Sequence, residues 1–350
     1  MKEMFTDVEL TSDRPLVTFA LFAYNQERYI RDAIEGAFAQ TYEPLEIILS
    51  DDCSTDRTFE VMQEMASEYQ GPHNVRVRRS ELNLGTALHL QAVALCSNGA
   101  IVVVAAGDDI SVAIRTEKIV NAWKKHSEKP ACIHSGAILF DESKRAEKVL
   151  RQPRFKSILG ERNRIEFAKR DRLPFLSPTC AYAKDIFLRF DSIMGGGIIE
   201  DGVLALRSLL SGDVVSLEEP LVYIRRQRET SGTGNVARGS VRWNRFILSR
   251  ISSYTNKIHD ASRANISLSD RLYLEKKFIK RVRRLALFLI SPSTAQGATW
   301  KLRFLIKYLA IYPSSAPAPY LIADGLAIIG QKETRLYRFG KAAFSSMKRT

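Results

Sequence analysis

Two acidic clusters each close an apolar run. Residues 50–56 read Ser-Asp-Asp-Cys-Ser-Thr-Asp, directly after the apolar stretch 45–49, and Gly107-Asp108-Asp109 follows the apolar stretch 101–106. Carboxylates are hard oxygen ligands that suit Mg2+ or Mn2+, and they also accept hydrogen bonds from N–H and O–H groups. In open α/β sheets ligands bind outside the carboxyl ends of the strands. Side chains that end a strand and open a loop therefore face a substrate rather than the core. Two such clusters, about 55 residues apart, predict one site that handles a metal ion and a nucleotide.

The elements that must carry these clusters alternate along the first half of the chain. Strands are expected at 16–22, 45–50, 75–79, 101–105 and 131–140. Helices are expected at 26–40, 56–69, 84–96 and 115–126, with Ser54 or Thr55 available to cap the second of these. The runs near 16–22, 45–49 and 101–106 show little polar alternation, as parallel strands buried on both faces do. Repeated β-α-β units predict an α/β sandwich with a mostly parallel sheet and right-handed crossovers. Residues 141–175 are basic and polar, with Pro153 and Pro174, and read as an irregular excursion before 177–182 re-enters the sheet. A glycine loop at 195–197 leads to Glu200-Asp201-Gly202 and a helix over 203–210. Short strands at 213–217 and 221–224 flank Pro220, and beyond about 226 the pattern is helical and basic.

Composition narrows the function class. A 350-residue chain with 45% hydrophobic and 26% charged residues predicts two domains, or one large domain with an appendage. The four cysteines have no C-x-x-C spacing and read as reduced, buried thiols, with Cys53 filling space in the first acidic cluster. The five histidines show no ligand spacing, and His134 reads as a hydrogen-bonded structural residue. Neither a G-x-G-x-x-G nor a P-loop is present, which disfavours dinucleotide chemistry and NTP hydrolysis. No signal-type leader or transmembrane-length apolar run occurs, so a cytoplasmic protein is expected. The formal charge of +13 is uneven: residues 240–350 hold 21 Lys and Arg against five Asp and Glu, leaving a net −3 in 1–239.

Taken in order, the run from Pro15 to Asn25, Gln40-Thr41-Tyr42, Glu46, the Asp51-Asp52 cluster and Gly107-Asp108-Asp109 resemble the GT-A, family 2 type of inverting glycosyltransferase. The resemblance extends over residues 15–225. It implies a GT-A fold, Rossmann-like with a mostly parallel sheet sandwiched by helices, and transfer of a sugar from a nucleotide-sugar donor with Mg2+ or Mn2+. Asp109 matches the metal-binding Asp of the family's D-x-D-type motif, with Asp108 beside it; Ala106 precedes Gly107, so the motif's first Asp is missing in strict form. Asp52, with Asp51 as neighbour, resembles the position that hydrogen-bonds the donor's base. A carboxylate accepting the imide N–H of uracil favours a UDP-sugar. Tyr24 matches the aromatic that stacks on the base, Asn25 orders its loop, and Asn83 and Gly85 belong to an N-x-G segment facing the donor. Asp56 reads as a helix cap. The resemblance makes Asp201 the base that deprotonates the acceptor, with Glu200 helping to position acceptor or metal; the alternative, that Asp201 simply caps the helix that follows it, is the less favoured reading. The stretch Tyr223-Ile224-Arg225-Arg226, with Gln227, resembles the one that closes the site, where Arg225 or Arg226 would meet the diphosphate.

The expected organisation is an N-terminal tail at 1–14, a glycosyltransferase domain at 15–230 and a helical, basic region at 231–350. In 271–290 the apolar residues Leu274, Phe278, Val282, Leu285 and Leu289 form one stripe, and Lys276, Lys277, Lys280, Arg281, Arg283 and Arg284 occupy the other sides. Two readings stand open: a helix docked by its stripe, or an amphipathic helix on an anionic membrane, extended by the aromatic and basic segment 300–312. Nucleic acid is disfavoured because no nucleic-acid-binding motif accompanies the charge. The expected partners are a nucleotide-sugar donor and a saccharide or lipid-linked acceptor. The expected setting is cell-surface polysaccharide or glycolipid synthesis at the inner face of the plasma membrane. The rival readings are a sugar nucleotidyltransferase and a non-catalytic sugar-nucleotide-binding or membrane scaffold on the same fold.

Overall fold

The computed structural model describes residues 14–126, 129–140, 146–150, 156–171, 175–193, 200–225 and 241–288, with backbone alone at 146–150, 200, 241–245 and 286–288. The glycines 195–197, the Glu200 side chain, Arg226, Gln227 and the segment 289–312 lie outside the described residues.

Strands β1 (Val17–Ala23), β2 (Leu45–Asp51), β3 (Asn74–Arg79) and β4 (Ile101–Ala106) form a parallel sheet ordered β3-β2-β1-β4. Every residue of β2 is buried, as is all of β1 except Phe22. Their unbroken apolar runs follow from cover on both faces. Helices α1 (Ile30–Phe38), α2 (Thr58–Glu68) and α3 (Thr86–Cys96) make the crossovers. Because β1 pairs with both β2 and β4, strand order reverses there, and the crevice at its carboxyl end is a topological switch point. One polar knot sits inside this part of the sheet. Buried Glu46 accepts from Thr18 Oγ1 (2.6 Å), the Asn98 amide (2.9 Å), Asn98 Nδ2 and Arg76 (both 2.8 Å), so its charge is satisfied in place.

Beyond β4 the sheet is mixed. After β5 (Ile110–Ser111) come α4 (Arg115–Lys124), β6 (Cys132–Phe140), β7 (Ala146–Leu150), α5 (Glu161–Arg170), β8 (Cys180–Ala183), α6 (Asp185–Arg189), α7 (Glu200–Ser211) and β9 (Val214–Arg225). The order continues β4-β8-β6-β9-β5, with β8 antiparallel to both neighbours, β6 parallel to β9, and β7 paired to β6. The stretch expected to be irregular therefore holds β7 and α5; its charged surface residues hid the short apolar face of Ile165, Phe167 and Ala168. The two strands expected around Pro220 are one, β9. Pro220 lies opposite Gly136, where the register of β6 shifts on both sides, and a side chain there would meet the Glu218 and Glu219 carbonyls at 3.0 and 3.1 Å. The bulge absorbs the N–H that proline lacks.

Two compact units emerge. Described residues of the first fall within 14–84, 89–191 and 207–225; those of the second fall within 85–88, 192–193, 200–206 and 241–288. The core of the first packs Ile30, Ile34 and Ala37 of α1, and Val61 and Met62 of α2, with the inner residues of β1, β2 and β4. In the second, α8 (Val241–Arg263) and α9 (Leu268–Phe288) form a helical hairpin. Ser267 starts α9 by accepting the Asp270 amide at 3.2 Å while its hydroxyl donates to the Asp270 carboxylate at 2.6 Å, a reciprocal N-cap. Leu274, Phe278 and Val282 are buried along with Ile247, Ile251 and Tyr254 of α8, and the Tyr254 and Phe278 rings lie 6.0 Å apart. The first three residues of the apolar stripe thus form an internal packing face between α8 and α9.

Candidate donor and metal site

The carboxyl ends of β1, β2 and β4 are tied together by backbone hydrogen bonds. The Asp52 amide donates to Ala23 O (2.9 Å) and the Gly107 amide to Phe22 O (2.8 Å). Tyr24, Asp52 and Asp108–Asp109 therefore leave adjacent strand ends, as their spacing predicted. Tyr24 is 46% exposed, unusual for a tyrosine flanked by a buried strand, and its ring is open to a stacking partner. Asn25, at φ +53°, turns the chain: its amide donates to Ser54 Oγ (2.9 Å) and its Oδ1 accepts the Thr55 amide (2.8 Å). Ser54 and Thr55 are thus engaged with Asn25 rather than capping α2. The N-cap position is Arg57, and Asp56 just ahead of it braces the turn into α2, accepting the Thr58 amide at 3.0 Å and the Glu27 amide at 3.1 Å. Burial raises the Asp56 carboxyl, but these bonds outweigh it and leave the group below its usual range.

Asp51 and Asp52 separate in role. Asp51 is fully buried: its Oδ2 accepts the Ser54 amide (2.9 Å) and pairs with Arg79 Nε (3.2 Å), while its Oδ1 has no hydrogen-bond partner among the described residues. Asp52 is held from the other side. Its Oδ1 accepts the Leu84 amide at 2.9 Å, and Asn83 Nδ2 donates to its backbone carbonyl at 3.3 Å. Asn83 accordingly orients Asp52, and Gly85, at φ +76°, lets the chain turn into α3. Below this edge, His89 Nε2 lies 2.5 Å from Ser50 Oγ, which also accepts from Arg78 at 2.8 Å. Burial, aided by Arg78, lowers His89 to about 3, so its ring is neutral and structural. His134 is also neutral, lowered to about 4 by burial against Phe175.

The second cluster is the electrostatic centre. Gly107 is dictated by space: a side chain would collide with Gln26 Oε1 and meet Ala23 Cβ at 2.7 Å. Asp109 is 7% exposed, and burial together with the neighbouring Asp108 charge raises it to about 8, against the pull of the Arg225 amide, Arg115 and Arg225. Asp108 is raised by burial too, with its backbone bonding, Gln26 and Arg225 opposing. Two adjacent carboxyl groups both driven up by burial, one of them also by its neighbour's charge, are a site short of positive charge. Oxygen donors alone make it fit a hard divalent cation. No cluster of three or more metal-ligating side chains occurs among the described residues.

Arg225, at the end of β9, fastens this centre. The β9 and β5 pairing brings it alongside Asp109, to whose Oδ1 its amide donates at 2.9 Å. Its side chain donates from Nε to the Asp108 carbonyl (3.1 Å) and pairs with Asp32 (2.9 Å), with the guanidinium 4.5 Å from the Tyr29 ring and 4.7 Å from the Phe140 ring. Beneath lies Arg115, fully buried, bonded to Ser111 Oγ and to the carbonyls of Val104, Pro178 and Cys180; burial lowers it to about 10. Asp32, Tyr29, Gln26 and Arg115 were not found from sequence. Tyr29 and Asp32 are three residues apart on the first turn of α1, a face signal too common to single them out.

Asp201 stands half-buried near the start of α7 in the second unit, ahead of the buried Val203 and Leu204. Gly202 there leaves room for Lys257 of α8, whose Nζ would lie 3.3 Å from a side chain at that position.

Comparison with known proteins agrees with this architecture. A protein of Mycobacterium tuberculosis (strain H37Rv) named Rv1520 is 26% identical over 206 residues, spanning 58% of this chain and 57% of that one. A Haemophilus influenzae chain named as a glycosyltransferase is 34% identical over 112 residues, 32% of this chain and 34% of its own. The present chain thus spans little more than half the length of the curated relatives it matches best among these. Among solved structures, S. aureus TarS residues 1–349 with UDP gives a TM-score of 0.55 at 14% identity over 81% of this chain and 78% of that one. The same protein with UDP-GlcNAc gives 0.52 at 17%, over 84% and 87%. These likenesses establish a shared fold. The model described as "Glycosyl transferase family 2" matches residues 18–193, just over half of the chain and including Tyr24, Asp52, Asp108 and Asp109, so this protein belongs to glycosyl transferase family 2.

Proposed function

We propose that the protein is a metal-dependent, inverting glycosyltransferase that moves a sugar from a UDP-sugar to a saccharide or lipid-linked acceptor in cell-surface polysaccharide or glycolipid synthesis. The observation that carries this reading is the Asp108–Asp109 pair at the switch point, in which buried Asp109 is pushed up by burial and by the Asp108 charge and is fastened by Arg225. Asp109, with Asp108 beside it, would hold Mg2+ or Mn2+. The ion, when bound, offsets the charge growing on the leaving diphosphate.

The chain's own groups do the rest. Tyr24 stacks on the base, a contact worth on the order of 1–3 kcal/mol. Asp52, oriented by Leu84 and Asn83, accepts the imide N–H of uracil, while Asp51 keeps the loop in shape beneath it. The choice of uridine rests on that acceptor; TarS, solved with UDP and with UDP-GlcNAc, shares the fold at low identity. Arg225, already bound to Asp32 and the Asp108 carbonyl, contributes to diphosphate binding through the position it gives Asp109. Asp201 takes the proton from the acceptor hydroxyl as it attacks opposite the leaving group, with Glu200 beside it. A setting at the inner face of a membrane suits a lipid-linked acceptor.

The nucleotidyltransferase rival expects a glycine- and basic-rich turn after the first strand. Here residues 22–27 are Phe-Ala-Tyr-Asn-Gln-Glu, and Asn25 and Glu27 are committed to the start of α2. The test separates binding from transfer. Asp201→Asn keeps UDP-sugar affinity within about twofold and lowers transfer by about 10²-fold or more. A variant that turns over normally removes Asp201 from this role.

A further inference from the structure

The apolar stripe of α9 is buried, yet the opposite face of the same helix is also partly apolar. Leu268 is 67% exposed, Leu272 54% and Tyr273 51%. Single exposed apolar side chains need no explanation, but three within six residues on one helix do. Lys276, Lys280, Arg283 and Arg284 are exposed as well. At 3.6 residues per turn all seven fall in an arc of about 160°. No carboxylate shares that arc: of the two acids in α9, Glu275 is buried and Asp270 is bonded to Ser267 at the N-cap.

We infer that this outward face of α9 lies on an anionic lipid surface, with Leu268, Leu272 and Tyr273 entering the headgroup boundary and the four cations above acidic headgroups. The charge is complementary to such a surface and to nothing in the helix itself. A soluble polyanion would use the cations but leave the leucines in water, so the mixture favours lipid. The helix can serve in this way because its other face is already fixed to α8, which presents it as a rigid strip. The inference concerns α9 alone and does not depend on the chain transferring sugar.

The test is sedimentation of the full chain with vesicles of phosphatidylcholine, with and without about 30% phosphatidylglycerol, a fraction that sets up the negative surface potential such helices sense. Binding is expected only with the anionic lipid and falls as salt is raised. Each cation near the surface contributes about fivefold to partitioning, so K276E/K280E/R283E/R284E lowers it by at least about 100-fold. The L268S/L272S variant lowers it by about tenfold while leaving every charge in place. Far-UV circular dichroism and the urea midpoint verify that both variants stay folded; none of the substituted side chains belongs to the buried packing face. Partitioning unchanged in the charge variant overturns the inference. Loss in the charge variant with none in the leucine variant overturns the lipid assignment and identifies a general polyanion surface.

Discussion

Replacing Arg225 tests the electrostatic centre without touching either of its carboxylates. In Arg225→Lys the Asp32 ion pair can re-form, but the Nε donor to the Asp108 carbonyl and the planar fit between Tyr29 and Phe140 are lost. A charge-assisted hydrogen bond contributes about 1.5–3 kcal/mol and each ring contact about 0.5–1. With part of this recovered by the lysine, the expected loss of stability is about 2 kcal/mol. Arg225→Ala also leaves Asp32 without its cation. Asp32 is 30% exposed and keeps some water, so the total there is discounted to about 3–4 kcal/mol. Urea unfolding of the metal-free protein measures these values. The decisive reading is Mn2+ affinity by calorimetry: the lysine variant should bind about tenfold more weakly and recover turnover at saturating Mn2+, since its backbone amide can still reach Asp109. A stability loss with unchanged Mn2+ affinity would show that the clamp holds the fold and not the site, and would refute the reasoning.

Metal binding should be linked to protons: with Asp109 at about 8, Mn2+ uptake at pH 7 releases close to one proton, and affinity falls about tenfold per pH unit below that. Calorimetry in buffers of different ionisation enthalpy detects the release, and a value near zero contradicts the assignment. The same shift has a stability sign. The folded state binds the extra proton between about 4 and 8, so Asp109 favours the fold of the metal-free protein at low pH and loses this contribution as pH rises toward 8. Asp109→Asn should flatten that slope in urea midpoints; an unchanged slope assigns it to other groups. Gly107→Ala forces a methyl within 2.7 Å of Ala23 Cβ, where only backbone movement gives relief, and is expected to destabilise by about 1–3 kcal/mol and to weaken Mn2+ binding. Normal values in thermal unfolding and metal titration would show that the strand end tolerates the shift.

The parallel half of the sheet was legible because burial on both faces writes itself as unbroken apolar runs. Each predicted strand there lies within one or two residues of its place. The second half was less so. Burial of β6, β8 and β9 is patchier, and a proline inside β9 reads as a break unless one knows that Gly136 bulges opposite it. Helix starts ran early for a related reason: Asn25 and Asp56 fold back on each other's loops, and α1 and α2 begin only after those bonds are made. In the site, the carboxylates announced themselves at strand ends. Their support did not, because Arg115, Asp32 and Gln26 act through contacts distant in sequence, and nothing in a single chain separates such residues from ordinary surface charge.

Under the proposed function a sugar nucleotide and a divalent ion meet at Asp52 and Asp109. A panel of sugar nucleotides screened by thermal shift with Mn2+ tests it most directly. Stabilisation by UDP-sugars is predicted, abolished by EDTA and by Asp109→Ala, and diminished in Asp52→Ala. Indifference to every nucleotide, with or without Mn2+, would contradict the claim.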